Sequence, residues 1–508
     1  MSFQSLRSRA PQLTTLISLF IVFLASPSPH TGLALAQWST PVRISEAGDC
    51  WYPQIQAQGD TLHVVYSNER GGWKISYVRS SDAGQTWSAY QVLSDTLNTT
   101  NTQFPRIIAH NQRLMAVWTV NFLQGVCRYN ISYSISDNNG ASWLVPRYVL
   151  NPNWPLPVPM VASGADSVVN LMMSTWTGDS TGFFNIRSTN FGQTWSSPRS
   201  VFHSAFTGVP DQASRSNVVY YFWAGGFDPQ DVGDIYLITS LDQGVTWTSN
   251  VPISEIDRWP SQRPSVATAT SGNAQISWWD FKYSPYWTTG DILVRTSSDE
   301  GENWTPELQI TYRHFATLSD VGSDDSTSCV VWQDQRPENG HFSIYFSESR
   351  DGGQSWSEEF RLDGDSLESR QPAVAASNGR VYVIWADRRC DPDTDICGGI
   401  YFTKCPAEPD GVRDAVDGAL PRNLGLSAYP NPFNSQVVIT YTCAKGGDIT
   451  IVNALGQLAR VFKIDAAIGG EIEWDGTDQT GHQVSSGIYF AKLQSGGRSK
   501  ALKIIRVK

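Results

Sequence analysis

Apolar and polar positions alternate along most of this chain. Between residues 37 and 406 the apolar residues fall into short runs, such as "RVYVIW" (380–385), or strictly alternating stretches, such as "SIYFSES" (343–349). A period of two predicts strands buried on one face, and short unbroken apolar runs predict strands buried on both. Helical periodicity is absent from this region. The strands come in a fixed order. Each unit opens on x-Pro-x-[Ile/Val], continues through an apolar run that ends in an aromatic, and crosses a variable loop. An alternating strand, a glycine-centred turn and a short strand after a tryptophan complete it. Four short strands per unit is the content of one propeller blade.

The turn repeats visibly: "SSDAGQTW" (80–87), "SDNNGASW" (136–143), "STNFGQTW" (188–195), "SLDQGVTW" (240–247), "SSDEGENW" (297–304) and "SRDGGQSW" (349–356). Its tryptophans are spaced by 56, 52, 52, 57 and 52 residues. A period slightly above fifty marks a propeller or solenoid. A seventh pair of inner strands, "QPAVAASNGRVYVIWADRR" (371–389) and "GGIYFTKC" (398–405), lacks its turn and outer strand. "QWSTPVRIS" (37–45) looks like the segment that follows each turn, as in "TWSSPRSVF" (194–202). The N-terminal strand is therefore expected to complete the last blade and leave no open edge. The count is seven blades, with six as the alternative.

The pattern S-x-[Asp/Asn]-x-Gly-x-[Thr/Ser/Asn]-Trp resembles the Asp-box, or BNR repeat, and the chain from 37 to 406 resembles sialidase-like β-propellers. Asp82, Asn138, Asn190, Asp242, Asp299 and Asp351 hold the acid or amide position. Six chemically similar copies cannot surround one substrate, so they are read as scaffold. The side chain accepts hydrogen bonds from the turn, glycine supplies φ > 0, and tryptophan packs between sheets.

Residues 407–425 are polar and rich in helix and strand breakers, which predicts a linker. Beyond it, 426–508 alternates between Gly/Asn/Asp turns as a small immunoglobulin-like β-sandwich would. "YPNPFN", "LGQ", "WDGTDQTG" and "SGIYF" resemble the C-terminal sorting domain of type IX secretion substrates, related to the immunoglobulin-like domain of flagellar hook-capping proteins. The resemblance implies outer-membrane secretion machinery as a partner. The expected fold is all-β throughout, a propeller followed by a sandwich.

The first 36 residues read as a signal peptide. Arg7 and Arg9 precede an apolar run, Leu13 to Ala25, and "ALA" (34–36) supplies the cleavage site. No other stretch suggests a transmembrane helix. The protein is expected to be secreted or held on the outer cell surface. Removing the leader's two arginines takes the net charge from −11 to −13, which argues against nucleic acid as a partner. Of seven cysteines, Cys390 and Cys397 close the eight-residue string "CDPDTDIC" and suit a local disulfide. Cys50 and Cys405 are further candidates, while Cys127, Cys329 and Cys443 read as small buried hydrophobes.

Chemistry is expected on the face opposite the repeated turns. Arg106, Arg263 and Arg370 sit near the starts of inner strands, and the sialidase resemblance implies an arginine triad that holds a carboxylate. Their offsets from the neighbouring prolines differ, and "FPRI" only permutes the family's Phe-Arg-Ile-Pro string. W-x-D-x-[Arg/Lys] occurs three times and makes Asp280, Asp334 and Asp387 candidate acids or bases, with Asp280 the candidate catalytic group. Tyr286, Glu255 and Asp257 lie in candidate loops for the nucleophile a sialidase needs, but no spacing connects them. Trp154, Trp259, Tyr283, Tyr286 and Trp287 offer flat faces for sugar rings. The histidines have no zinc-site spacing. No cofactor is expected, with calcium at Asp391, Asp393 and Asp395 as the one alternative. Two functions follow: an extracellular propeller that binds glycan or another polymer, or an exo-acting glycoside hydrolase of sialidase type.

Overall fold

The computed structural model describes residues 38–507, apart from 70–71, 95–100, 123–127, 151–160, 177–180, 228–232, 285–288, 314, 338–339, 365, 367, 391–396, 406–424, 430, 432, 443–446, 455, 465–468 and 496–497. The described residues form strands and turns and no α-helix. The chain separates into two compact units, residues 36–411 and 412–508.

In the first unit, strands join into seven antiparallel sheets, six of four strands and one of five. The first sheet runs Cys50–Gln58, Thr61–Asn68, Lys74–Ser80 and Gln91–Val92 from inside outward. The innermost strands of the others are Asn101–His110, Val161–Ala165, Asp211–Arg215, Ser261–Thr268, Ala316–Ser323 and Ser369–Ser377. Each packs against the next, and the seventh packs against the first. The N-terminal strand Val42–Arg43 forms the outer edge of the last sheet, with Val42 opposite Phe402 and Arg43 opposite Tyr401. The resemblance of residues 37–45 to the outer strands predicts this closure. Sheets of a closed ring bury both faces, and the second strands accordingly carry fully buried Trp118, Trp223, Trp278, Trp332 and Trp385.

The repeated turns glue neighbouring sheets. Ser80 Oγ accepts the Gly84 N–H at 2.8 Å and donates to Asp82 Oδ1 at 2.7 Å; Asp82 also accepts the Thr86 N–H and hydroxyl at 2.8 and 2.6 Å. These bonds, led by the Thr86 hydroxyl, hold the Asp82 carboxyl down at about 2. At Asn138 and Asn190 the amide N–H₂ instead donates to the hydroxyl of Ser142 or Thr194, at 2.8 Å in both. Gly84 has φ +77°, and a Cβ there would stand 2.3 Å from the Phe402 ring. Trp87 meets that ring edge-on, as Trp143 meets Tyr77 and Trp195 meets Tyr133 in the preceding sheets. The Ala83 N–H bonds the Asp60 carbonyl, so these turns share one end of the ring with the turns that follow the inner strands.

The second unit is a sandwich. Gly425–Tyr429, Val437–Thr442 and Gly469–Trp474 form one sheet, and Leu458–Ile464, Gly447–Asn453, Gly487–Ser495 and Arg498–Arg506 the other. Trp474 fills its core against Phe433 and Tyr489, and donates its indole N–H to the Thr477 carbonyl at 2.8 Å.

Candidate functional site

The seven inner strands surround a channel of about 220 Å³, lined by small residues from every sheet, among them Ala57, Ala109, Gly164, Ala213, Gly322 and Ala375. Inner strands expose one edge of unpaired backbone groups, which must be satisfied by something other than a further strand. Side chains one sheet over supply part of that need. Asp211 accepts the Val266 N–H, and Asp320 accepts the Val374 N–H, each at 2.9 Å. The Ser265 hydroxyl donates to Asp320 at 2.6 Å and accepts the Val321 N–H at 3.3 Å. Arg106 faces Asp211 across the channel at 3.6 Å. Burial pushes the Asp320 carboxyl up to about 6, and raises Asp211 against the pull of Arg106.

These groups sit at the end of the channel where the inner strands begin, away from the repeated turns. Just before them comes an irregularity shared by five sheets. The ladder shifts register between Trp51 and Gln54, Gln103 and Arg106, Gln262 and Ser265, Thr317 and Ser319, and Arg370 and Ala373. Inside each shift one bulky residue has positive φ: Tyr52 (53°), Phe104 (55°), Arg263 (50°), Leu318 (46°) and Gln371 (52°). A non-glycine residue in that region costs about 1 kcal/mol or more. Repetition makes the bulge a property of the blade; the side chains it lifts differ from sheet to sheet. Val209 holds the equivalent place before Pro210 and is exposed.

The lifted side chains meet at the mouth. The Tyr52 and Phe104 rings lie 4.5 Å apart, and Gln371 accepts the Tyr52 N–H at 2.7 Å. Arg263, from the fifth sheet, interacts with Tyr52 of the first. It is open to solvent yet walled by the mouth, and burial lowers its pKa from the ordinary value. Beside Tyr52, Trp51 lies under Arg388, whose guanidinium carbon is 5.2 Å from the ring centre. Arg388, Trp51, Tyr52, Phe104 and Arg263 thus form one strip of cations and rings. Among the described residues, neither Arg263 nor Arg388 is ion-paired, although Asp49 and Glu368 border the small cleft beside Trp51 and Arg388.

The three arginines expected to act together do not form a set. Arg106 is held by Asp211, and Arg370 pairs with Glu368 and lies over Phe342. Only Arg263 presents an unpaired guanidinium. The bulge explains this, because Arg263 precedes its proline, Arg106 follows one, and Arg370 stands two before another.

Asp280 requires a correction. It is 2% exposed and accepts the Ser261 hydroxyl at 2.8 Å, the Trp278 indole N–H at 3.1 Å and the Lys282 N–H at 2.8 Å. A carboxylate so enclosed joins the second strand to the first rather than facing a ligand. Asp387 repeats the arrangement with Ser369, Trp385 and Arg389, and Asp334 is buried against Arg336. W-x-D-x-[Arg/Lys] is a corner of the blade. Its cation reaches on to a carboxylate before the outer strand, Lys282 to Glu307 and Arg336 to Glu359.

Trp259 lies under Arg258, 5.2 Å from ring centre to guanidinium, and donates its backbone N–H to Asp257 Oδ1 at 2.6 Å. Trp154, Tyr286, Trp287 and the calcium candidates Asp391, Asp393 and Asp395 lie outside the described residues. Among the described residues no three His, Cys, Asp or Glu side chains group as metal ligands. Cys390 and Cys397 are disulfide-bonded, and Cys50, Cys329 and Cys405 are buried thiols. Sequence reasoning passed over Tyr52 and Phe104. Their signal was present in "YP" and "FP", at the same offset from proline as Arg263 in "RP".

The closed ring of antiparallel sheets belongs to the β-propellers. The sandwich can be assigned more narrowly: residues 427–508 match the secretion system C-terminal sorting domain family. The protein is accordingly delivered by the type IX machinery to the cell surface or the medium. No curated protein matches the chain. Among solved structures, it is similar to a protein of unknown function from Dyadobacter fermentans at 13% identity, over 73% of this chain and 98% of that one, with a TM-score of 0.46. A Hadza microbial sialidase matches at 16% over 71% and 66%, with a TM-score of 0.41. A Penicillium chrysogenum alpha-L-arabinanase complexed with arabinobiose matches at 15% over 72% and 98%, also at 0.41.

Proposed function

We propose that this exported propeller binds glycan at the channel mouth opposite the repeated turns. The observation that carries the reading is the strip from Trp51 to Arg263. Paired rings supply flat apolar area with few rotamers to freeze, and an unpaired guanidinium beside them supplies directional donors. Asp211 and Asp320 turn inward, toward backbone N–H groups, while Glu368 is paired with Arg370 and Asp49 borders the strip beside Trp51. The alternative is an exo-acting glycoside hydrolase of sialidase type. In its favour stands Asp320, whose carboxyl at about 6 lies in the range a general acid needs. Against it stands the enclosure of Asp280 by Ser261, Trp278 and Lys282, which leaves this carboxyl little access to a ligand.

The test uses the exported full-length protein on a glycan array, followed by fluorogenic sialoside and arabinoside assays. Saturable binding that Tyr52→Ala weakens about tenfold, without turnover, is the expected result. Turnover that Asp320→Asn abolishes would establish the hydrolase instead.

A further inference from the structure

Cations at this end of the ring divide into two groups. Arg370, Lys282 and Arg389 are each neutralised by a carboxylate of the same sheet, and Arg106 by Asp211 two sheets on. Arg263 and Arg388 are the two on the strip that are not: Arg388 lies over the Trp51 ring, and Arg263 is near enough to Tyr52 to interact with it electrostatically. The acceptors that a neutral sugar would use are committed elsewhere. Asp211 and Asp320 bond the backbone of Val266 and Val374, and Gln371 Oε1 takes the Tyr52 N–H. Of the carboxylates that border the strip, Glu368 is taken by Arg370 and Asp49 stays exposed, so among the described residues a ligand there meets two unpaired guanidinium groups against one unpaired carboxylate.

We propose that the ligand is an anionic polysaccharide, with carboxylate or sulfate groups held by Arg263 and Arg388 and sugar rings resting on Trp51, Tyr52 and Phe104. This rests on the glycan-binding reading above and adds the charge of the ligand to it. Planar guanidinium groups suit both anions, since each presents paired oxygens to a fork of N–H donors. The acidic balance of the chain restricts the site to an anion recognised locally. A polymer held by general electrostatics would be repelled.

Affinity electrophoresis of the exported full-length protein tests this with two matched pairs of polymers: dextran sulfate against dextran, and polygalacturonate against its full methyl ester. At least one anionic member should bind tenfold or more tightly than its neutral counterpart, and the pair that responds tells sulfate from carboxylate. Arg263→Gln and Arg388→Gln should each weaken that binding about tenfold, with Arg263→Lys intermediate because it keeps charge and loses the fork. Arg380→Gln, at the opposite end of the ring and paired with Asp60, should leave it unchanged. Thermal melting of each variant separates lost binding from lost fold. Equal binding of the neutral counterparts, still sensitive to Tyr52→Ala, would overturn the anionic ligand and leave the glycan reading standing. An equal loss in Arg380→Gln, or equally tight retention by single-stranded DNA, would reduce the effect to surface charge and overturn it as well. No binding to any of the four polymers would overturn the proposal, and an empty glycan array alongside it would remove the reading too.

Discussion

The two ends of the channel are built from the same seven-fold repetition and use it in opposite ways. At one end the turns around Asp82, Asn138, Asn190, Asp242, Asp299 and Asp351 vary little, and each closes its hydrogen bonds on itself. At the other end Tyr52, Phe104, Arg263, Leu318 and Gln371 are five different side chains on one backbone irregularity, and Val209 holds the equivalent place before its proline. Repetition of the side chain marks what the fold needs from every blade. Repetition of the backbone with variation of the side chain marks where the blades can be made to differ. A recurring motif is thus informative about scaffold, and function is better sought where the repeat breaks its chemistry while keeping its geometry.

Substitutions should divide along that line. Gly84→Val would combine the clash with Phe402 and a branched side chain at φ +77°, and should lower stability by about 3 kcal/mol in denaturant unfolding. Asp280→Ala, which strands the Trp278 indole and the Lys282 N–H, should cost about 2–3 kcal/mol. Neither should alter affinity once the folded fraction is accounted for. At the mouth the order reverses. Tyr52→Ala should weaken glycan binding by about 1.4 kcal/mol, tenfold, while shifting stability by less than about 0.5 kcal/mol. A mouth variant that unfolds the protein, or a turn variant that removes binding, would erase the distinction.

Acid should separate the ends as well. Asp320 and Asp334 are raised by burial to about 6 from the ordinary 3.8, so they bind more protons folded than unfolded. The stability they contribute is complete below about pH 4 and is lost as pH rises through 6, on the order of 3 kcal/mol for each. Asp320→Asn should flatten that limb of a stability profile. Asp82 is held at about 2, and so is Asp242, where the Thr246 hydroxyl and N–H outweigh a burial penalty. Their contribution is present above about pH 4 and is lost as pH falls through 2. The smallest effect is expected from Asn138→Asp. It should leave stability near neutrality within about 0.5 kcal/mol and steepen only the acid limb.

Much of the scaffold was legible in the chain, and the reasons are local. Alternation gave the strands, the spacing of the tryptophans gave the blades, and the likeness of residues 37–45 to an outer strand gave the closure at Val42 and Arg43. The site was less legible because side-chain direction depends on register. A strand with an intact ladder would place residues two apart on one face, but the bulge before each proline breaks that rule. Arg106 is drawn to Asp211 and Arg370 to Glu368, while Arg263 is left at the mouth with Tyr52. Asp280 misled for a related reason: a carboxylate after an aromatic looks poised at a loop, yet its oxygens are needed to close the corner of the blade.

The measurement that bears most directly on this account is a pair of binding isotherms on the exported full-length protein with the best-binding polysaccharide. One compares the parent with the double variant Tyr52→Ala, Arg263→Gln; the other compares it with Asp82→Ala. The account predicts binding reduced a hundredfold or more in the first and unchanged in the second. Unchanged binding in the double variant, or lost binding in a folded Asp82→Ala protein, would contradict it.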